Sequence, residues 1–469
     1  RSWSLDARNN ALKFQFFIVD TASVHCCNVL SLTSKRPRRS VRPFQATMDV
    51  LPNEVLLPIL ALVDGASLVR CKRVCKRWLA LVEAILQHRH VIWKMICQSE
   101  IDRDMLLELL GNSYPEDESG AVEMDWFSVY KCWYSTRVVS EFPHHIRKLK
   151  SFKGLVTCLK TSGEVIVTGH TSGCIVIWNA RDGWPINFIE TRANSICDLA
   201  FFNLRGPATL SPGQFCYKRG HVICASNNSR LDAYSLEDTS TSCANPFQTS
   251  YPVVSVKICN DRLAALSLYR CVLSLMRLTL TAGGVEFHPL LRAFLQERFC
   301  SWIGLNEHCV FHVGSYWKAG KMCITSCVRE TWKLAPVDRE EPLYITLALV
   351  QRQGILVIAT VDMGLYISVD AGRHVSEIKA ARQWNGRVTA LALRGSLLAI
   401  GLCSGWLCVY RVRDSLVDME YRQPDWSRQI YEDPVIAVDV TSEPDTKQPT
   451  VVAATRYEVC VVTWLFGSV

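Results

Sequence analysis

The sequence predicts an α+β multidomain chain with a small N-terminal helical domain, a helical linker and an all-β propeller of seven blades. Before about residue 140, apolar residues recur at the three- to four-residue spacing of helix faces. After about residue 150, short β-branched and aromatic runs alternate with turn residues. This strand pattern repeats seven times, at intervals close to the roughly 40–45 residues of a propeller blade.

Charge is concentrated at the start of the chain. The 469 residues include 52 Lys/Arg and 44 Asp/Glu, a net charge of +8. Residues 1–47 hold eight of the basic residues and two of the acidic ones, so they carry +6 and the rest carries +2. A nearly neutral body argues against nucleic-acid binding. The longest apolar runs, such as Val55–Val63, are far short of the ~20 residues of a membrane span.

The 21 cysteines do not form a recognisable framework. Most stand singly inside apolar runs, where cysteine behaves as a small hydrophobic residue. The pairs Cys71/Cys75 and Cys323/Cys327 lack the second half of a zinc site. We therefore expect no metal and no disulfide scaffold, and a reducing compartment, the cytoplasm or the nucleus.

Residues 1–47 differ from the rest of the chain. We expect them to be an upstream extension or a disordered tail, with translation starting at Met48. The run Lys35–Arg39 matches a short basic import signal. An exposed basic stretch without that role is the alternative.

Residues 48–97 have helical patterning. Three helices are predicted, over Val55–Val63, Leu68–Arg73 and Lys76–Ala84. Asp64-Gly65 should end the first helix and Ser67 should cap the second. Pro58 should kink the first helix or delay its start. Two more helices, over Arg103–Gly111 and Met124–Thr136, make 98–144 a helical linker.

The strand-rich part, residues 145–469, divides into seven units that start near 155, 195, 253, 300, 345, 388 and 435. The unit Leu155–Gly183 reads as strand, turn, strand, G-x-x-x-G turn and a strand ending at Trp178. The last unit ends at its third strand, Val459–Trp464. We expect His145–Phe152 to supply the missing strand and close the ring, because closure removes exposed edges.

Residues 48–97 resemble the F-box. The match consists of the opening Leu51-Pro52, the Ile59-Leu60 pair, the run Val74–Trp78 and the closing Trp93. Residues 145–469 look like WD repeats in degenerate form, with Gly169-His170 and Trp178-Asn179 as echoes of the Gly-His and Trp-Asp pairs. A buried His–Asp network is not evident in most units.

Together these segments resemble the F-box/WD-repeat proteins. In that family the F-box docks on the Skp-type adaptor of a cullin–RING ubiquitin ligase, and the propeller holds a protein substrate. The resemblance therefore implies the substrate-recognition subunit of an SCF-type ubiquitin ligase. An F-box scaffold without a role in degradation, and a nucleic-acid-binding propeller, are the alternatives.

The resemblance implies seven residues that face the adaptor: Leu51, Pro52, Ile59, Leu60, Leu62, Val69 and Trp78. They could instead fill the core of the domain itself. A unit of ~45 residues has too small a core to need all of them.

The substrate surface is expected on the loops that join the second and third strands of neighbouring units two, three and four. The candidate residues are Arg230, Tyr269, Arg270, Tyr316, Trp317, Lys318 and Lys321. Arginine binds carboxylate or phosphate bidentately and aromatic rings anchor peptides, so the set suits an acidic or phosphorylated peptide. The alternative is a solvated loop face with ordinary basic residues.

No catalytic motif is present in the sequence. It has no P-loop, no dinucleotide-binding glycine pattern, no H-E-x-x-H and no G-x-S-x-G. His144-His145 and His288 lack the partners of a metal or catalytic site. We expect a binding protein without cofactor rather than an enzyme.

Overall fold

The computed structural model describes residues 51–86, 89–101, 103–110, 125–137, 139, 143–163, 165–202, 220–236, 246–267, 269–281, 283–295, 300–315, 318–334, 344–351, 355–368, 372, 374–384, 386–412, 422–442 and 448–465, except 151–153. The expectations for residues 1–47 lie outside these ranges. All helices and strands belong to one unit over Asn53–Val469. No described helix is long and apolar enough to cross a membrane.

Six helices lie in the described residues before the propeller. They are Asn53–Ala61 (α1), Gly65–Cys71 (α2), Lys76–Ile85 (α3), Arg89–Glu100 (α4), Arg103–Leu110 (α5) and Trp126–Arg137 (α6). The first two pack on α3, while α4 packs on α5 and α6. Pro58 lies inside α1. The backbone hydrogen bond that it removes is the one to the carbonyl of Glu54. Glu54 is exposed to solvent, so this carbonyl is not left buried and the helix continues.

One expectation about the helices was wrong, and one helix was not anticipated. Asp64, not Ser67, caps α2, because its carboxylate accepts a hydrogen bond from Ser67 N at 2.9 Å. Helix α4 was not expected as a separate element. Its buried Trp93 and Cys97 are accompanied by exposed Val91 and Met95, so apolar residues on both faces obscure the helical period.

Seven four-stranded antiparallel sheets form the predicted blades. Blades 1 to 3 contain Val156–Ser162 (β2), Val165–His170 (β3), Cys174–Asn179 (β4), Pro185–Glu190 (β5), Ile196–Phe202 (β6), His221–Ser226 (β7), Arg230–Ser235 (β8), Phe247–Gln248 (β9), Val253–Cys259 (β10), Arg262–Ser267 (β11), Val272–Thr281 (β12) and Gly284–Phe294 (β13). Blades 4 to 6 contain Cys300–Leu305 (β14), Cys309–Gly314 (β15), Lys318–Cys323 (β16), Arg329–Lys333 (β17), Ile345–Val350 (β18), Leu356–Thr360 (β19), Leu365–Ser368 (β20), Ser376–Glu377 (β21), Val388–Arg394 (β22), Leu397–Leu402 (β23), Trp406–Arg411 (β24) and Trp426–Gln429 (β25).

The seventh blade closes the ring as predicted. It combines Ala437–Ser442 (β26), Pro449–Ala454 (β27) and Glu458–Trp464 (β28) with His144–Lys150 (β1). Strand β1 pairs with β28 along its whole length, from His144 opposite Trp464 to Lys150 opposite Glu458. The strand that precedes the first blade therefore completes the last one.

Glycines allow neighbouring blades to approach closely. A Cβ on Gly401 would lie 2.5 Å from Val435 of the next blade, and a Cβ on Gly169 would lie 2.7 Å from Ile196. Gly173 and Gly405, each four residues after one of these glycines, have positive φ. Each lies against a backbone carbonyl of the following inter-blade loop. The G-x-x-x-G spacing thus fixes both the blade contact and the turn.

Blade 1 holds a buried polar chain. Thr168 accepts a hydrogen bond from Trp178 Nε1 at 3.0 Å and lies 2.9 Å from His170 Nε2. His170 Nδ1 lies 3.1 Å from the carbonyl of Gly154. Burial lowers the pKa of His170, so the imidazole is neutral and can accept from Thr168 while donating to Gly154. His170 and Trp178, which resemble residues of the Gly-His and Trp-Asp pairs, therefore do form hydrogen bonds. Their partners are Thr168 and the Gly154 carbonyl rather than an aspartate.

Helix α6 connects the helical domain to the propeller. Thr136 Oγ1 lies 2.9 Å from Ser396 Oγ in the turn between β22 and β23, and Arg411 donates to the carbonyl of Arg137. Val139 is buried in the apolar cluster shared by blades 6 and 7. The helices therefore lie at one face of the ring, which we call the helix face.

The opposite face of the propeller is built by two kinds of loop. Loops between the second and third strands of a blade hydrogen-bond to the loops that join successive blades, as in Asn227 N to Ser195 O at 3.2 Å and Val361 N to Tyr344 O at 3.0 Å. Cys403 N donates to Arg387 O in the same way, at 2.8 Å. We call this surface the loop face.

Candidate functional site

Helix α1 is apolar on two sides. Leu56 and Leu60 point into the domain and are at most 2 % exposed. Val55 and Ile59, at the i, i+4 spacing of the other side, are 44 % and 36 % exposed, and Leu62, just after the last residue of α1, is 88 % exposed. The first side makes the domain core, and the second is an apolar surface that the described residues leave largely exposed.

The helical domain exposes further apolar residues. Val74 and Leu79 are 62 % and 36 % exposed. Trp78 and Val69 are half-buried. Exposed apolar residues are candidates for interaction surfaces where they form a patch.

Polar contacts tie α2 to the linker helices. Glu100 at the end of α4 accepts hydrogen bonds from Gly65 N at 2.7 Å and from the Tyr130 hydroxyl at 2.8 Å. The Tyr130 oxygen in turn accepts from Ala66 N at 3.0 Å. Burial and the hydrogen bond to Glu100 raise the pKa of Tyr130, which stays neutral. This network satisfies amide groups at the first turn of α2 and orients the domain on α6.

Aromatic packing reinforces the same junction. The ring of Trp93 lies 5.1 Å from that of Tyr130 and 4.8 Å from that of Phe127. A Cβ on Gly65 would come within 3 Å of Tyr130, Ile96 and Trp93, so glycine is needed where α2 meets this cluster. The helical domain is thus held to α6, and α6 to the propeller.

The loop face displays exposed aromatic and apolar side chains. Five of them are 41–59 % exposed: Tyr269, Tyr344, Val361, Met363 and Tyr457. Tyr269 packs its ring 6.2 Å from Tyr251 in the adjacent inter-blade loop. Such exposed rings supply anchors for a peptide or protein partner.

Charges on the loop face differ between sectors. The side of blades 2 to 4 carries Arg192, Arg230, Arg270 and Lys318 together with Glu190 and Asp232, whereas the side of blades 5 to 7 carries Asp362, Glu432 and Asp433 together with Arg387 and Arg456. Arg270 and Cys271 both have positive φ, 61° and 44°, which is uncommon for residues other than glycine. That backbone presents Tyr269 and Arg270, both exposed, at the rim of blade 3.

Comparison with known proteins identifies the helical domain. The family model for F-box-like domains matches residues 48–99. Residues 48–99 are an F-box-like domain. The chain thus consists of an F-box-like domain followed, after helices α5 and α6, by a seven-bladed propeller.

One curated relative shares this architecture by name. The chain is 25 % identical over 143 residues to F-box/WD repeat-containing protein 7 of Drosophila melanogaster, a match that covers 29 % of this chain and 10 % of that protein. Among solved structures, the computationally designed Ika8 protein aligns with 68 % of this chain and 98 % of its own, with 11 % identity and a TM-score of 0.46.

The F-box-like domain places the seven expected adaptor residues differently. Ile59, Leu62 and Pro52 are exposed, and Leu51, Val69 and Trp78 are half-buried. Leu60 is 2 % exposed and lies in the core of the domain, because it follows Leu56 by one helix turn. Val55, Val74 and Leu79 were not in the expected set, although the spacing of Val55 from Ile59 could have revealed it.

The substrate candidates are only partly brought together. Tyr269 and Arg270 lie in the expected loop, and Lys318 begins β16 at the edge of the loop face. Arg230 is held by an ion pair to Asp232, with Nε 2.7 Å from Oδ1. Tyr316 and Trp317 lie outside the described residues. The loop between β15 and β16 is shorter than the candidate set requires, because β16 begins at Lys318.

Lys321 therefore belongs to a strand rather than to the loop. It lies inside β16 and pairs with Glu330 of β17 at 3.2 Å. Sequence reasoning also missed Tyr251 and Tyr344. Both follow from the rule that inter-blade loops share a face with the loops between second and third strands.

No described residues form a cluster of three or more His, Cys, Asp or Glu side chains able to hold a metal ion.

Proposed function

We propose that this protein is the substrate-recognition subunit of an SCF-type ubiquitin ligase. Its F-box-like domain binds a Skp-type adaptor, and through it a cullin–RING ligase, and its propeller binds a protein substrate. The observation that carries the proposal is the exposed apolar side of α1 on a domain whose other contacts fix it to the helix face of the propeller.

The adaptor surface in this proposal includes Val55 and Ile59 on α1, Leu62 just after α1, Val69 on α2 and Trp78 on α3. Leu51 and Pro52 remain candidates from the sequence. Leu60 supports this surface from beneath and does not contact the adaptor. Large exposed side chains such as Leu62, at 88 %, are the anchors that a partner would desolvate.

The substrate surface is the loop face, centred on Tyr269, Arg270 and Lys318. An exposed aromatic ring and exposed cationic groups on the loops of neighbouring blades 3 and 4 suit an acidic or phosphorylated segment. Arg230 contributes less charge, because Asp232 already neutralises it at 2.7 Å. Tyr316 and Trp317 remain candidates from the sequence.

Charge reversal at Arg270 tests the substrate surface. Arg270→Glu in the full chain should reduce capture of substrate proteins at least tenfold while adaptor recovery stays at the wild-type level. Arg277→Glu is the matched control, because Arg277 is also exposed but pairs with Asp261 at the helix face. Unchanged partners for Arg270→Glu would place the substrate site elsewhere.

Two other functions give different results. A scaffold would bind the same partners without shortening their lifetimes. A nucleic-acid-binding propeller would bind DNA or RNA with an affinity that falls steeply with salt. The net charge of +2 outside residues 1–47 supports neither strong phosphate contact nor steering toward a polyanion.

A further inference from the structure

Blade 4 carries two cysteines directly opposite each other on neighbouring strands, Cys309 at the start of β15 and Cys323 at the end of β16. Ile324 N donates to His308 O at 2.7 Å, so His308 and Ile324 form a hydrogen-bonded pair of the ladder. The next pair, Cys309 and Cys323, is therefore of the non-hydrogen-bonded kind.

That register suits a disulfide. In a non-hydrogen-bonded antiparallel pair the Cα atoms are about 4.5 Å apart, within the range of about 4.4–6.8 Å that disulfides span. Both side chains are half-buried rather than enclosed. Cysteines such as Cys158 and Cys460 are buried in the blade clusters, where a reagent cannot reach them.

The turn after β16 activates one of the two thiols. The hydroxyls of Ser326 and Thr325 point to Cys323 Sγ, Thr325 Oγ1 at 3.3 Å. Hydrogen bonds from Ser326 and Thr325 lower the pKa of Cys323 to about 6, so a thiolate is present at neutral pH. Burial, and the neighbouring Cys323, raise the pKa of Cys309, which stays a thiol.

We propose that Cys309 and Cys323 are a peroxide-sensitive pair that forms a reversible disulfide across blade 4. This goes beyond substrate recognition and does not depend on it. The pair consists of a nucleophilic thiolate and a resolving thiol placed opposite each other by the strand register.

The reaction balances with hydrogen peroxide as the oxidant. The Cys323 thiolate attacks one peroxide oxygen, an S–O bond forms, the O–O bond breaks and hydroxide leaves. The Cys309 sulfur then attacks the sulfenic sulfur of Cys323, the S–S bond forms and the S–O bond breaks. The second hydroxide leaves and takes up the Cys309 proton, and the first hydroxide takes up the proton that Cys323 released when it ionised. Two thiols and one peroxide thus give one disulfide and two waters, and a reducing thiol reverses the step.

Mapping of disulfides in the full chain tests the proposal. The folded protein is treated with hydrogen peroxide at pH 7, remaining thiols are alkylated, and non-reduced peptides are identified by mass spectrometry. We expect one dominant new link, Cys309–Cys323, that dithiothreitol removes. Cys323→Ser should abolish the link. Cys309→Ser should leave Cys323 as a sulfenic acid that dimedone labels.

Exposed Cys327, in the same turn, provides the matched control. Cys327→Ser should form the Cys309–Cys323 link to the wild-type extent. A link between Cys323 and Cys327, or no link while other thiols are oxidised, would overturn the proposal. So would alkylation of Cys323 with a half-maximum near the ordinary thiol pKa of about 8.5 rather than near 6.

Discussion

Leu60 and Leu62 are two residues apart on the same segment, yet one is 2 % and the other 88 % exposed. A sequence pattern that makes both apolar cannot say which one faces the domain core. The structure assigns Leu60 to the core beside Leu56, and leaves Ile59 and Leu62 on the outer side. Variants at these neighbouring positions therefore separate binding from folding.

Substitution of Leu62 should affect binding alone. Leu62→Asp places a charge in the proposed adaptor contact, and central interface residues contribute about 2 kcal/mol or more, roughly thirtyfold in affinity. The melting temperature should not change, because the side chain is exposed. Adaptor affinity measured by titration calorimetry, and melting by scanning calorimetry, check both expectations.

Two matched variants complete that experiment. Leu60→Ala should lower stability by about 2–5 kcal/mol, as large-to-small core changes do. Leu280→Asp, at a 50 % exposed site on β12, should change neither property. Wild-type adaptor affinity in Leu62→Asp would contradict the assigned surface.

His312 should make the propeller sensitive to acid. Burial and the nearby Arg329 lower its pKa to about 4, so the folded protein holds it neutral. The unfolded chain titrates near 6.5. As the pH falls from about 6.5 toward 4, the unfolded state binds the proton first and stability decreases, by about 2 kcal/mol at pH 5.

Melting temperatures between pH 7.5 and 5 measure this effect. His312→Gln should flatten the decrease relative to wild type. Part of the slope should persist, because burial also lowers the pKa of His170 and His221. Parallel curves for the two proteins would show that His312 does not titrate in this way.

Among the elements, the short strand β1 completes the last blade and so closes the ring. It lies outside the seven sequence repeats but supplies the fourth strand of blade 7. Leu149 of β1 is 4 % exposed and packs in the cluster between blades 7 and 1. The ring therefore depends on a segment that a count of repeats would leave out.

Leu149→Ala tests this dependence. Loss of buried methyl groups should destabilise the propeller by about 2–5 kcal/mol and lower its melting temperature. His145→Ala, exposed on the same strand, should have no measurable effect. An equal melting temperature for Leu149→Ala and wild type would mean that β1 does not stabilise the ring.

Most elements could be predicted from the sequence because their patterns are local. The starts of the seven units agree closely with the inner strands, for example 253 with Val253 and 388 with Val388. Helix α4 was missed because Val91 and Met95 interrupt its polar face. The extent of β16, and thus the position of Lys321, depends on pairing with β15 and β17, which the local pattern does not contain.

The candidate sites were less predictable than the fold. Whether Leu60 or Leu62 is exposed depends on how α1 rotates against α3, a tertiary property. Two contacts of the loop face are tertiary in the same way. Arg230 forms an ion pair with Asp232, and the ring of Tyr251 packs near that of Tyr269. The local sequence does not specify the side-chain and loop geometry that makes these contacts. The sequence thus predicted which kinds of residue occur at the candidate sites better than it predicted which of them are exposed and unpaired enough to bind a partner.

On the scale of the whole molecule, the two proposed surfaces are on opposite sides of the ring. Thr136 and Arg137 of α6 contact blade 6 at the helix face, while Tyr269 and Arg270 lie at the loop face. Packing of Trp93 and Tyr130 joins the F-box-like domain to α6. A protein held at the loop face would therefore be presented at a fixed orientation to whatever binds α1.

The lifetime of bound partners tests the substrate-receptor claim most directly. Partners are captured with the full chain and with the double variant Ile59→Asp/Leu62→Asp, and their half-lives in cells expressing each protein are measured by pulse-chase. We predict that the variant loses adaptor and cullin, keeps the propeller-bound partners and lengthens their half-lives. Retained partners with equal half-lives in both cells would contradict the account and leave a scaffold.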